Sequence, residues 1–145
     1  MSYPRYRVAV NDDYCFYRFY REGPKGLIEK AVIYSEMEAG LYNLAFGDWN
    51  AELDALDDSI RSNNGDRDKV LATVAFTALN FTNQFPNTLL HIKGSTSSRT
   101  RLYQMGIGNN LLEINKNFEI QGFRLQKWEP FILGRNYEAF LVRRK

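Results

Sequence analysis

The sequence predicts an α+β fold, a mixed, mostly antiparallel sheet of about six strands packed against two main helices. The chain has 145 residues, enough for one hydrophobic core. Aromatic residues make up 14% of it, which favours strands and large packing side chains. Segments with strand periodicity alternate with two segments of helical periodicity. No linker, repeat or low-complexity tract interrupts residues 1–145, so a single domain is expected.

The first part of the chain is rich in strand signals. Residues 14–21 alternate aromatic and polar side chains, residues 23–26 are a glycine–proline turn, and residues 27–34 return to an extended pattern. Together they predict a β-hairpin. A third strand is expected between the glycines of segment 40–47, and residues 6–10 are expected to form a short edge strand.

The second part carries both helices. Apolar residues spaced three and four apart predict an amphipathic helix at about 66–85, which ends before Pro86. A glycine- and hydroxyl-rich turn precedes the second helix, at about 97–110. The other predicted elements are an acidic loop with a helix cap at 48–66, a strand at 89–93, a further helical turn or two at 111–116, and closing strands at 118–125 and 137–142.

Charge and cysteine content narrow the class of protein. The net charge is +2 and the isoelectric point about 8.7, so no strong field attracts nucleic acid. The single cysteine, Cys15, excludes an intramolecular disulfide and suits a reducing compartment. No signal-peptide pattern and no apolar run of about 18 residues is found. We therefore expect a cytoplasmic protein without a membrane segment.

The most chemically suggestive segment joins the predicted strand at 89–93 to the second helix. Amides at a helix start donate hydrogen bonds to anions, and nearby guanidinium groups add charge, so the segment suits a phosphate, sulfate or carboxylate. The predicted ligand-binding residues are Gly94, Ser95, Thr96, Ser97, Arg99 and Arg101. Arg99 and Arg101 are two residues apart, so one of them at most is expected to face a ligand.

A structural interpretation of this segment stands beside the functional one. Ser95, Thr96 or Ser97 caps the helix, while the two arginines lie along the surface or pair with the acidic loop. The Gly-Lys-Ser/Thr pattern of a P-loop is absent.

Other candidate groups have plainer interpretations. His91 is the only histidine, and we expect it to be hydrogen-bonded and structural. Its position near the C-terminal end of a strand keeps a catalytic role open. Asp54, Asp57 and Asp58 are suitable ligand types for Mg²⁺ or Ca²⁺, but their spacing fits no calcium loop. We expect a solvated acidic loop there and no metal site.

Three stretches, residues 41–48, 63–74 and 94–103, resemble a family of small, uncharacterised proteins of Bacteroidetes bacteria. The resemblance covers nearly the whole chain. It implies no activity, because none is established for that family.

The order of predicted elements, three strands, helix, strand, helix and two strands, is similar to the GNAT N-acetyltransferase core after that fold's first strand and two helices. In that superfamily a tyrosine on the later helix often protonates the leaving thiolate of coenzyme A. Residues 102–107 loosely match its pattern. The resemblance implies acyl transfer from acetyl-coenzyme A, with Tyr103 as general acid and His91 as a possible base. Residues 61–68 depart from the superfamily's pyrophosphate loop, since two aspartates stand there and the second glycine is missing.

Three functional hypotheses follow from the sequence. The first is a domain that binds an anionic or phosphorylated small molecule at residues 94–101. The second is an acyltransferase that uses acetyl-coenzyme A, so the sequence leaves open whether the protein is an enzyme. The third is a non-catalytic interaction module, with a homodimer as one form. Its exposed aromatics and sheet edge would contact another chain. The aromatics in that region are Tyr17, Tyr20, Tyr34 and Trp49.

Overall fold

The computed structural model describes residues 4–23, 26–57 and 67–145. Within these residues the helices are α1 (Arg67–Gln84), α2 (Ser97–Asn109) and α3 (Leu111–Ile114). The strands are β1 (Ala9–Val10), β2 (Phe16–Gly23), β3 (Gly26–Glu38), β4 (Leu41–Asn50), β5 (Ala55–Asp57), β6 (Leu89–Ile92), β7 (Phe118–Arg124), β8 (Lys127–Pro130) and β9 (Ala139–Arg144).

All nine strands belong to one sheet, in the order β1-β2-β3-β4-β6-β9-β7-β8, with β5 paired to the far end of β4. Every pairing is antiparallel except that of β4 with β6, so the predicted mixed, mostly antiparallel α+β architecture is confirmed. The expected number of about six strands is too low for the described residues, because β5 and β8 were not predicted and the short β1 completes the nine.

The two unpredicted strands each follow a turn that lacks a strong sequence signal. β5 lies in the segment expected to be an acidic loop, and it pairs with the last three residues of β4. β8 follows a two-residue turn at Leu125 and Gln126, whose φ angles are 49° and 64°. Asn and Gly are the usual residues of such a turn. Because Leu and Gln stand there instead, the sequence did not predict a hairpin at this point. The part of the predicted acidic loop at 58–66 lies outside the described residues.

The hairpin expected around residues 23–26 is confirmed by the pairing of Gly23 with Gly26. Strands β3 and β4 are both longer than predicted, because β3 continues to Glu38 and β4 continues to Asn50. The predicted helices agree closely with α1 and α2. None of the described helices is long and apolar enough to cross a membrane.

The core lies between one face of the sheet and the helices. Tyr34 stacks on Phe81 of α1 with ring centroids 4.3 Å apart, and the hydroxyl of Tyr34 lies 2.7 Å from that of Thr77. Burial raises the pKa of the Tyr34 phenol far above its usual value. The hydroxyl of Tyr17 accepts a hydrogen bond from Asn80 at 2.8 Å. Tyr17 and Tyr34, expected among the exposed aromatics, are therefore core residues.

The same face of the sheet also contains a buried ion pair. Lys30 of β3 and Asp48 of β4 are direct neighbours across the two strands, and Nζ lies 2.5 Å from Oδ1. Asp48 was expected in a solvated acidic loop, and this expectation was wrong because β4 continues through it. The strand period of two places Lys30 on the face of Val32 and Tyr34, which points towards α1.

Candidate functional site

The turn between β6 and α2 is held by a compact set of hydrogen bonds. Thr96 has an extended backbone, and its hydroxyl accepts a hydrogen bond from the Arg99 amide at 3.2 Å. The Thr100 hydroxyl accepts from the Gly94 amide at 3.0 Å and donates to the Thr96 carbonyl at 3.2 Å. Of the three hydroxyl residues considered for the helix cap, the structure thus selects Thr96.

Gly94 has a steric role in this turn. A Cβ atom at this position would lie 2.5 Å from the Thr100 backbone nitrogen and 2.7 Å from the Arg99 Cβ atom. Only a residue without a side chain lets the first turn of α2 approach the end of β6 so closely. Gly94 therefore shapes the site, and it offers a ligand its backbone alone.

Two backbone amides remain available at the start of α2. The amide of Arg99 donates to the cap, and that of Thr100 donates to the Thr96 carbonyl at 3.0 Å. Among the described residues, the amides of Ser97 and Ser98 take part in neither bond. Amides in the first helical turn have no partner within the helix, so these two can donate to a bound anion.

A polar groove of about 350 Å³ lies beside this helix start. The basic side chains in its wall are Lys93 and Arg101, and Glu138 is the acidic one. The other wall residues are Gly94, Ser95, Thr96, Ser97, Thr100, Gln104, Asn136 and Tyr137. Five of the six predicted ligand-binding residues therefore line one groove, and Arg99 is the exception.

The two arginines lie on different flanks of α2, as their spacing predicted. Arg101 faces the groove together with Gln104, three residues further along the helix. Arg99 lies four residues before Tyr103 and shares its flank, towards β4. Neither arginine forms an ion pair within the described residues. The expected pairing with an acidic loop is not seen there.

Gln104 joins the groove to the segment before β9. Its side-chain amide donates to the Arg135 carbonyl, and its Oε1 accepts from the Tyr137 backbone amide at 2.8 Å. The Tyr137 hydroxyl lies 2.8 Å from a carboxylate oxygen of Glu129, which holds the pKa of that carboxyl below its usual value. The sequence did not indicate these wall residues, because they lie more than thirty positions from Gln104.

A second, apolar feature lies on the other flank of α2. Parallel pairing of β4 with β6 covers residues 41–43 and 89–91, one residue before β6 ends at Ile92, and β4 pairs with β5 further along, at residues 48–50. Beyond the end of β6, the rings of Phe46 and Tyr103 lie with their centroids 4.9 Å apart. They lie beside a cavity of about 90 Å³ between the sheet, α1 and α2, whose lining includes Leu44, Leu71, Val74, Leu90, Ile92 and Ile107.

His91 lies on the opposite face of the sheet from this cavity. Its neighbours Leu90 and Ile92 line the cavity, so the strand period of two turns His91 away from it. Its Nδ1 lies 3.3 Å from Oδ1 of Asn43, and burial, with a smaller effect of Lys93, lowers its pKa. The predicted acid and base, Tyr103 and His91, are thus not brought together on one surface.

Among the described residues there is no group of three or more metal-ligating side chains. Asp54 is exposed in a turn, whereas the Asp58 position and the side chain of Asp57 lie outside what is described. Cys15 is a free thiol whose pKa is raised, first by burial and then by the charge of Asp13. A raised thiol pKa disfavours the reactive thiolate.

The fold and the groove define an α+β protein with one large sheet and a polar recess at the start of its second helix. The chain belongs to DUF6934, a family of unknown function, whose sequence profile matches residues 2–145. No curated protein matches the chain, and no solved structure matches it.

Proposed function

We propose that the protein binds a small anionic or phosphorylated ligand in the groove at the start of α2. The observation that carries the proposal is the meeting of Ser97, whose amide starts the helix, with the cationic side chains of Lys93 and Arg101 in one recess. Each hydrogen bond between a charged group and such a ligand contributes about 1.5–3 kcal/mol. Ser95 and Ser97 add hydroxyl donors at the same place.

Glu138 in the same wall restricts the kind of ligand. A simple polyanion would be repelled by its carboxylate, whereas a phosphorylated molecule with a hydroxyl or amino group could place that donor against it. The proposed ligand is therefore a monophosphate or carboxylate that also carries a hydrogen-bond donor.

The chain supplies a matched control for the test. Arg101→Ala removes the charge in the groove, and Arg99→Ala removes the same side chain from the other flank of the same helix. Ser97→Pro removes one amide donor at the first helical position, where proline is tolerated, and the extended backbone of Thr96 suits a residue before proline.

The measurement is a nuclear magnetic resonance titration of the labelled protein with inorganic phosphate and then with an aminoalkyl phosphate. We expect the amide signals of Ser97 and Ser98 to shift, with an affinity weakened about tenfold by Arg101→Ala, equal to about 1.4 kcal/mol. Arg99→Ala should change it less than about twofold. Equal effects of the two arginine variants, or unmoved amides at millimolar ligand, would overturn the proposal.

A second candidate function, acyl transfer from acetyl-coenzyme A, is favoured by the apolar cavity that Phe46 and Tyr103 line. The cavity is lined by apolar residues that suit an acyl chain, and the order of elements predicted from the sequence is similar to that of the N-acetyltransferase core. Tyr103 lines this cavity, so its phenol is the proposed acid for a leaving thiolate.

A thermal-shift measurement with coenzyme A tests this second candidate. A ligand held at about a hundred times its dissociation constant stabilises a protein by about 2.7 kcal/mol. Tyr103→Phe keeps the ring against Phe46 and removes the hydroxyl, so it should retain the shift and lose acyl transfer. No shift at millimolar coenzyme A would contradict this candidate and leave the anion groove unaffected.

A further inference from the structure

The cavity between the sheet, α1 and α2 has an almost wholly apolar lining. Its volume is about 90 Å³, several times the roughly 30 Å³ share of a water molecule in the liquid. Among the described residues that line it, only Tyr103 and Asn110 have polar side chains. The Asn110 side-chain amide already donates to the Gly106 carbonyl at 2.8 Å. A buried water needs two to four polar partners, so the cavity suits an apolar occupant better than water.

Small residues on both helices leave this space. α2 contributes Gly106 to the lining, and α1 contributes three alanines, Ala72, Ala75 and Ala78. Residues three positions apart are neighbours on a helix surface, so the alanines follow one another along the cavity. Their methyl groups are too short to fill the distance between α1 and the sheet.

Two contacts keep the helices and the sheet at this distance. Leu71 of α1 lies against Gly106 of α2, where an added Cβ atom would come within 2.4 Å of the Leu71 Cδ1 atom. The Phe46 ring of β4 lies against the Tyr103 ring of α2, with centroids 4.9 Å apart. Because side chains in contact resist compression, these contacts stop the helices from closing on the space. The atoms that line it then lack van der Waals partners on one side, and an apolar ligand would supply them.

The cavity faces solvent between the two helices. Leu90 and Val142 line it from the sheet and are buried. Leu71, Ala75 and Ile107 line it from the helices, and all three are only partly buried. A ligand can therefore enter through the cleft between α1 and α2 without unfolding of the core.

We infer that this cavity binds a short, uncharged aliphatic group of about three or four carbon atoms, since a carbon of such a chain fills about the volume of one water molecule. A charged group is excluded, because none of the described lining residues carries a charge that could pair with it. The inference rests on the cavity of the second candidate function. It extends the group that this candidate would transfer from acetyl to butyryl, and the binding itself requires neither coenzyme A nor transfer.

A nuclear magnetic resonance titration of the methyl-labelled full chain with 1-butanol tests the inference. The methyl signals of Leu71, Ala75 and Ile107 should shift and saturate with a dissociation constant in the millimolar range, as expected of so small a ligand. Glycerol, a polar molecule of similar size, should move none of them. Signals that stay unmoved at roughly 100 mM 1-butanol, or that glycerol shifts equally, would overturn the inference.

Two substitutions in α1 that fill the cavity locate the binding. Ala75→Leu, on the side that faces solvent, should weaken 1-butanol binding at least tenfold, and Ala78→Val, at the buried end, about threefold. Gln84→Leu adds an apolar side chain at the exposed end of the same helix, so it is the matched control and should leave the affinity unchanged. Unchanged affinity in both filled variants, or an equal loss in Gln84→Leu, would refute the inference.

The cavity and the polar groove can be tested separately, because they share none of the described lining residues. Ala75→Leu should leave the phosphate titration of the Ser97 amide unchanged, and Arg101→Ala should leave 1-butanol binding unchanged. Failure of the phosphate titration would thus refute the groove alone. Binding of 1-butanol without a thermal shift by coenzyme A would refute acyl transfer and leave the cavity site intact.

Discussion

Substitution of the buried ion pair of Lys30 and Asp48 tests quantitatively how much this pair contributes to the stability of the sheet. Both side chains are 9% exposed, and Nζ lies 2.5 Å from Oδ1. Lys30→Met keeps the length of the side chain and removes its charge, which leaves the Asp48 carboxylate in the interior. Removal of one partner of a buried pair costs about 3–5 kcal/mol, and we expect a loss of about 3 kcal/mol in the free energy of unfolding.

A double variant measures the interaction energy between Lys30 and Asp48 apart from the effect of each substitution alone. Asp48→Leu alone should lower the free energy of unfolding by a similar amount, because the buried Lys30 ammonium then has no ion-pair partner. Lys30→Met with Asp48→Leu replaces both charges by apolar groups, and such replacements are often neutral. We expect its stability to lie within about 1 kcal/mol of the parent, so the double-mutant cycle should give a coupling of several kcal/mol.

Urea unfolding followed by circular dichroism measures all four proteins. In a chain of this length each kcal/mol corresponds to about 2–4 °C in Tm, so each single variant should melt roughly 10 °C lower. Arg143→Met breaks an ion pair of the same sheet whose side chains are more than half exposed, and it should cost less than about 1 kcal/mol. Additive effects of Lys30→Met and Asp48→Leu would show that the buried pair has no coupling, and the reasoning would fail.

Three further predictions follow from the turns and the histidine. Gly94→Ala should lower the free energy of unfolding, measured by urea denaturation, by at least about 2 kcal/mol, because its Cβ would lie 2.5 Å from the backbone of α2. An unchanged free energy of unfolding would contradict this packing. Leu125→Asn with Gln126→Gly should raise stability by about 1 kcal/mol, because both positions have left-handed backbones, and an unchanged Tm would argue against that turn. His91 should titrate below 6.5 in proton resonance spectra, so acidification through 6.5 should destabilise the parent more than His91→Gln.

Several local elements of this protein could be predicted from the sequence alone, although the short strands β5 and β8 could not. The apolar spacing before Pro86 predicted α1, and the hydroxyl-rich turn before α2 predicted a helix cap, which is Thr96. The hairpin at 23–26 was equally clear. These features depend on backbone conformation and side-chain spacing within one or two turns of chain, and such information is contained in neighbouring residues.

The candidate site was predictable in part for the same reason. The anion-binding amides and the opposed directions of Arg99 and Arg101 follow from helix geometry, and five of the six proposed residues line the groove. Gln104 and the opposite wall at 136–138 were not predicted. They belong to the site because β9 returns beside β6, and no local pattern encodes that return.

The tertiary structure alone decided which surfaces are covered. The strand period of two places Tyr17 and Tyr34 on the opposite face from their sequence neighbours, but it did not indicate that this face packs against α1. The sequence predicted that Asp48 belongs to an acidic loop. In the structure it lies within β4, and its carboxylate pairs with Lys30. The pairing of β4 with β6, and the position of His91 on the face of the sheet away from the cavity, likewise depend on contacts between residues far apart in the chain. Periodicity distinguishes the two faces of a strand, whereas burial is decided by what packs on each face.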